Sequence, residues 1–149
     1  MKTVSKNIHA VHTLLAGLAL AVLIAPGVAS AADPQLEKAI QQGHELFSHA
    51  TFDGNGHVCE SCHLAGGASP GKLPNGKAIP SLANAAAIFP RFRAKDNKVI
   101  VLADQVRSCI AGGLGGNPPA YGSEQLNSII SYLTSLSEGK PIEMGGQPR

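Results

Sequence analysis

The chain has 149 residues, with 12 Lys and Arg against 10 Asp and Glu, a formal net charge of +2. A balance this close to neutral excludes a nucleic-acid binder held by charge. Four Phe, two Tyr and no Trp, set among 17 Gly and 10 Pro, exclude a self-sufficient aromatic core and leave room for a large apolar guest.

The chain opens as an export leader. Lys2 and Lys6 precede an apolar run from Leu14 to Ala25, and Ala29, Ser30 and Ala31 offer a small-residue cleavage site. The run is shorter than a membrane span requires, and no cysteine follows it to accept a lipid anchor. Residues 1–31 therefore read as a cleaved signal peptide and residues 32–149 as one domain. Loss of Lys2 and Lys6 leaves 10 basic against 10 acidic residues. Export implies the periplasm, an oxidising compartment in which an odd cysteine needs an explanation.

Three helices are expected. The first begins at Asp33 as N-cap with Pro34 behind it, and Leu36, Ile40, Gly43 and Phe47 form its apolar stripe. Gly43 lowers helix propensity and reads as a point of close approach by another helix. The second, in "VIVLADQVRSCIAGG", places Leu102, Val106, Cys109 and Ile110 on one inward face and stops at Gly112 and Gly113. The third opens at Ser123, buries Leu126, Ile129, Ile130, Leu133 and Leu136, and ends at Gly139 and Pro141. The Gly/Pro-rich segments between them read as long loops of the kind that wrap a ligand. No strand is expected. The fold class is all-α.

Between the first two helices lies "CESCH", Cys59 to His63. C-x-x-C-H is the pattern of c-type haem attachment: two thiols add across the two porphyrin vinyl groups, and the adjacent histidine ligates iron. A thioredoxin-like pair needs a βαβ setting that the sequence lacks. A zinc site could recruit Cys59, Cys62, His63 and Cys109, and a disulfide would leave His63 without a role. Haem c is the expected cofactor, with Cys59 and Cys62 as thioethers and His63 as proximal ligand.

With "GHELF", "CESCH", glycine-rich loops and "IISYL", the chain resembles the class I c-type cytochromes. The resemblance implies first and last helices crossing beside the haem, with Gly43, Phe47 and Tyr132 at the crossing, and one-electron transfer as the function. It also implies a distal methionine on the loop before the last helix, yet no methionine lies between His63 and Ser123. Cys109 is the first candidate for the distal position. Met144 is another, in a tail that reads as mobile. His44 and His49 read as surface or haem-edge residues, and His57 as too near the motif in sequence to cross the porphyrin.

The stretch from "LADQVRSCIAGG" to "LSEGKP" is similar to thiosulfate dehydrogenases and the A subunit of the Sox complex. That resemblance implies a thiolate from Cys109 on the iron and an association with sulfur chemistry. It also implies basic side chains around the cysteine to hold an anionic sulfur substrate. Arg107 and the cluster Arg91, Arg93, Lys95 and Lys98 offer them, although the cluster also reads as a solvated loop facing haem propionates or a partner. Those families work with two haems, whereas one C-x-x-C-H is present here. The expected function is a periplasmic monohaem electron carrier with redox-protein partners. A catalytic or accessory subunit of a thiosulfate-oxidising enzyme, within a sulfur-oxidising complex, is the alternative.

Overall fold

The computed structural model describes residues 33–73 and 75–148; the expected leader lies outside them. Helix α1 spans Pro34–His49, and the Asp33 side chain accepts hydrogen bonds from the amides of Gln35 and Leu36, as the cap reading requires. Helix α2 spans Leu102–Gly113 and α3 spans Glu124–Ser135. The Ser123 hydroxyl caps α3 by accepting from the Leu126 amide. Among the described residues, no helix is long and apolar enough to cross a membrane.

The crossing of α1 and α3 organises the domain. A Cβ placed on Gly43 would lie 2.0 Å from the Ser128 carbonyl oxygen and 2.7 Å from Tyr132 Cβ. Only a residue without a side chain lets the two backbones come this close. Phe47 and Tyr132 meet at a tilt of 58° beside the crossing, with ring centroids 5.5 Å apart. The Tyr132 hydroxyl donates to the Gly66 carbonyl at 2.6 Å, which fastens the crossing to the loop after the cysteine motif. Val106, Ile110 and Leu114 of α2 and its end join Leu126, Ile129 and Leu133 in the same core. Leu36, expected in the buried stripe, is 49% exposed; within α1 the buried residues are Gly43 and Phe47.

Two expectations need correction. The connections hold two small antiparallel hairpins, β1 (Gly71–Lys72) with β2 (Ala78–Ile79) and β3 (Arg91–Arg93) with β4 (Lys98–Ile100). Val99 and Ile100, read as the start of the second helix, belong to β4 instead. In β3–β4 the pairs Arg91↔Ile100 and Arg93↔Lys98 share one face, and Phe92↔Val99 share the other. Ile100 is fully buried while Phe92 and Val99 are 60% and 65% exposed, so the face carrying both arginines is turned inward. Class I architecture stands, with strand ornament on its loops.

The tail is also ordered. Glu143 N–H donates to the Ala87 carbonyl at 2.8 Å, Gly145 N–H to the Ile88 carbonyl at 3.1 Å, and Asn84 Nδ2 to the Gln147 carbonyl at 3.1 Å. The segment after α3 is thereby laid across the 3-10 turn Ala86–Ile88.

Candidate functional site

The cysteine motif is a tight turn built from its own side chains. Cys59–Ser61 form one 3-10 turn, and the His63 amide reaches back to the Cys59 carbonyl at 3.0 Å. The Ser61 hydroxyl accepts from the Val58 amide at 3.0 Å, and the Glu60 carboxylate from the Gly66 amide at 2.8 Å. The Gly66 bond holds the Glu60 carboxyl below its usual pKa. Strand β1 presses on the turn: a Cβ at Gly71 would lie 1.8 Å from the Cys62 carbonyl oxygen. Upstream, Asn55 N–H donates to the Leu114 carbonyl at 2.7 Å and Asn117 N–H to the Phe52 carbonyl at 2.7 Å. These bonds anchor the approach to the motif at the end of α2.

Beneath the turn opens a cavity of about 720 Å³, the size of a sizeable cofactor pocket. Cys59, Cys62 and His63 line it from the motif, and Cys109 lines it from α2. Apolar walls come from Phe47, Ile79, Leu82, Ile88, Ile129 and Leu133. This is the space that a chain poor in aromatics leaves for a guest.

The titratable groups fit that reading. Burial pushes the Cys59 thiol up to about 11, and the Cys109 sulfur adds to the rise, so the two share one electrostatic neighbourhood. Burial pushes the His63 imidazole down. The nearby Pro80 carbonyl counters part of that shift without meeting hydrogen-bond geometry, so His63 Nδ1 is a buried polar atom with no partner. A neutral imidazole on a cavity wall has the protonation state a metal ligand needs. All three cysteines are free thiols in this structure. Among the described residues, no three His, Cys, Asp or Glu side chains gather to hold a metal ion, against the zinc alternative. Two thiols, an adjacent neutral imidazole and an apolar chamber do fit a covalently tethered haem.

The structure separates the other candidates. Cys109 is not packed inward with Val106 and Ile110; it is an exposed residue whose surface opens onto the cavity. Gln105 Nε2 donates to its sulfur at 3.2 Å. Met144 is 69% exposed and does not line the cavity. His44 meets the Tyr132 ring at a tilt, 5.1 Å between centroids, and His49 lies 3.5 Å from Glu45 at the surface. His57, read as too near the motif, lies on the cavity wall.

Of the basic residues, Arg91, Arg93 and Lys95 line the cavity, so the segment is not simply a solvated loop. Arg93 pairs with Asp96 and donates to the Ser108 hydroxyl at 3.1 Å. Lys98 and Arg107 stand apart from the cavity. Arg107 is drawn to the Pro118 and Pro119 carbonyls and sits 4.4 Å over the Tyr121 ring. Gln105 and Ser108 escaped the sequence reading. Gln105 was findable, because it stands four residues before Cys109 on the same helix.

A family model described as "SoxA/TsdA, cytochrome c domain" matches residues 42–142. A thiosulfate dehydrogenase from Stutzerimonas stutzeri is 33% identical over 107 residues, covering 68% of this chain and 33% of the relative. The L-cysteine S-thiosulfotransferase subunit SoxA of Pseudaminobacter salicylatoxidans is 25% identical, covering 71% of this chain and 32% of its own. This chain thus spans about a third of the length of these curated relatives. The solved thiosulfate dehydrogenase TsdBA from Marichromatium purpuratum superposes with a TM-score of 0.61 at 23% identity, over 80% of this chain and 26% of that one.

Proposed function

Because this chain belongs to the SoxA/TsdA cytochrome c domain family, whose members hold haem c covalently, we propose that it is an exported single-haem electron carrier serving the oxidation of reduced sulfur compounds. Bound haem supplies an iron that alternates between ferric and ferrous states. In this reading Cys59 and Cys62 would form the thioethers, and His63 and Cys109 would ligate the iron. Cleavage of the leader at residue 31 would deliver residues 32–149 to the periplasm, where the partners would be other redox proteins, including those of a sulfur-oxidising complex.

The observation that carries the reading is the convergence of all three cysteines and His63 on one apolar cavity. The motif turn fixes Cys59, Cys62 and His63 within five residues, while α2 brings Cys109 from elsewhere in the chain. A cavity sulfur with no loop methionine to compete with it is the ligand at hand. A thiolate gives charge to iron and favours the ferric state, so the carrier would work at low potential.

A second reading is favoured by Arg91, Arg93 and Lys95 on the wall shared with Cys109. Three cations beside a sulfur suit a small sulfur anion, as in a catalytic or accessory subunit of a thiosulfate-oxidising enzyme. Joining two such anions through an S–S bond releases two electrons, whereas one iron stores one. The single motif therefore suits a relay. Adding thiosulfate to the purified ferric protein separates the two readings. A carrier stays oxidised until a redox partner or chemical reductant is supplied. Thiosulfate-dependent reduction that disappears in Cys109→Ala would establish the enzymatic reading instead.

A further inference from the structure

On α2, Gln105 and Cys109 are separated by one helical turn, and both line the cavity. Gln105 Nε2 lies 3.2 Å from the Cys109 sulfur, and Arg91 Nη2 lies 3.4 Å from Gln105 Oε1. The order of these contacts is informative. A guanidinium has five donors and no acceptor, so Arg91 can face only the carbonyl end of the carboxamide. That fixes which end of Gln105 is which, an assignment otherwise ambiguous for an amide. The N–H₂ end is left for the sulfur, and the sulfur must act as acceptor. A neutral thiol accepts weakly; a thiolate accepts strongly.

Arg91 is itself held from outside the helix. It stands on the inward face of β3 opposite the buried Ile100, with its guanidinium 5.1 Å from the centroid of the Phe89 ring. The β3–β4 hairpin therefore aims a fixed positive charge at the carbonyl of Gln105. It polarises the amide so that its N–H is a better donor to the sulfur.

The geometry points to Gln105 as a positioning residue for the Cys109 sulfur, oriented by Arg91 and setting how much charge that sulfur delivers to the iron. The inference rests on the reading of Cys109 as an iron ligand. An N–H donated to a ligating thiolate withdraws charge from it, weakens its support of ferric iron and raises the potential. Without that donor the sulfur gives more charge and the ferric state gains.

The test uses the exported, haem-loaded full chain, with redox titration and ferric electron paramagnetic resonance as readouts. Gln105→Leu removes the donor. Gln105→Glu keeps an acceptor for Arg91 but presents no N–H to the sulfur, and so covers the case in which the leucine variant does not fold. Both are expected to raise the ferric-to-ferrous ratio at fixed potential about tenfold, a fall of about 59 mV for one electron, and to move the low-spin g values. Wild-type thiolate ligation with unmoved potential and g values in both variants would overturn the role of Gln105 alone. A wild-type spectrum without thiolate ligation would overturn that role together with the ligand reading beneath it.

Discussion

At Cys109 the proposed ligation turns on how much negative charge the sulfur would deliver to a metal. Its surface opens onto the cavity, its rotamer is held by Gln105, and its field is felt at Cys59. A packing role is hard to reconcile with an exposed side chain, since a buried small hydrophobe would lie beneath Ile110 rather than at the cavity wall. Replacing the thiolate by a thioether would remove a full negative charge from the metal while keeping a sulfur in reach. Cys109→Met should therefore raise the midpoint potential by well over ~59 mV, more than a tenfold shift in the redox ratio. A potentiometric titration indistinguishable from wild type would mean that residue 109 does not touch the iron.

At the level of elements, the α1–α3 crossing is the most constrained contact in the domain. A methyl group at residue 43 would need the Ser128 carbonyl, 2.0 Å away, to retreat by more than an ångström. Helix propensity alone would favour alanine by up to ~1 kcal/mol, but overpacking at a backbone contact costs about 1–3 kcal/mol or more. Strain wins at this distance. Gly43→Ala should lower stability by about 2 kcal/mol and the melting temperature by roughly 8 °C, as thermal unfolding followed by circular dichroism would show. An unchanged melting temperature would mean the helices do not cross at this glycine.

The same scale shows what could be read from the chain. The three helices were legible because Asp33, Ser123, the two glycines closing α2 and the glycine beyond α3 mark their ends. Apolar residues also recur at helical spacing between those marks. The β3–β4 hairpin was not legible. Its strands hold only three residues each, and the alternation is inverted, with Arg91 and Arg93 turned toward the cavity while Phe92 and Val99 face out. Sequence patterning assumes that charged residues face water, and a cavity that needs charge on its wall breaks the assumption. Cys59, Cys62 and His63 were legible because their chemistry is contiguous. The inward placement of Cys109 was only half right, since helical periodicity predicts a face but cannot say that the face borders a chamber.

For the whole molecule, the cavity couples folding to the cofactor. Without a guest, the apolar wall of the 720 Å³ cavity is left to water, and the burial that helps offset chain entropy is lost from a domain held together by only ~5–15 kcal/mol. The chain must fill that space, admit water to it or collapse. Without a covalent guest, the walls formed by Phe47, Ile88, Ile129 and Leu133 lose their partner. The double variant Cys59→Ser, Cys62→Ser, exported and purified, should melt at least ~10 °C lower or without a cooperative transition. Scanning calorimetry showing wild-type unfolding in a haem-free sample would contradict the coupling.

The claim on which the redox account turns is that the sulfur of Cys109 and the imidazole of His63 share one metal. Ferric electron paramagnetic resonance of the purified protein addresses it in one spectrum, with Cys109→Ala measured beside it. A low-spin thiolate-ligated signal that is lost in the alanine variant is the expected result. A histidine–methionine or high-spin signal in the unaltered protein would contradict it.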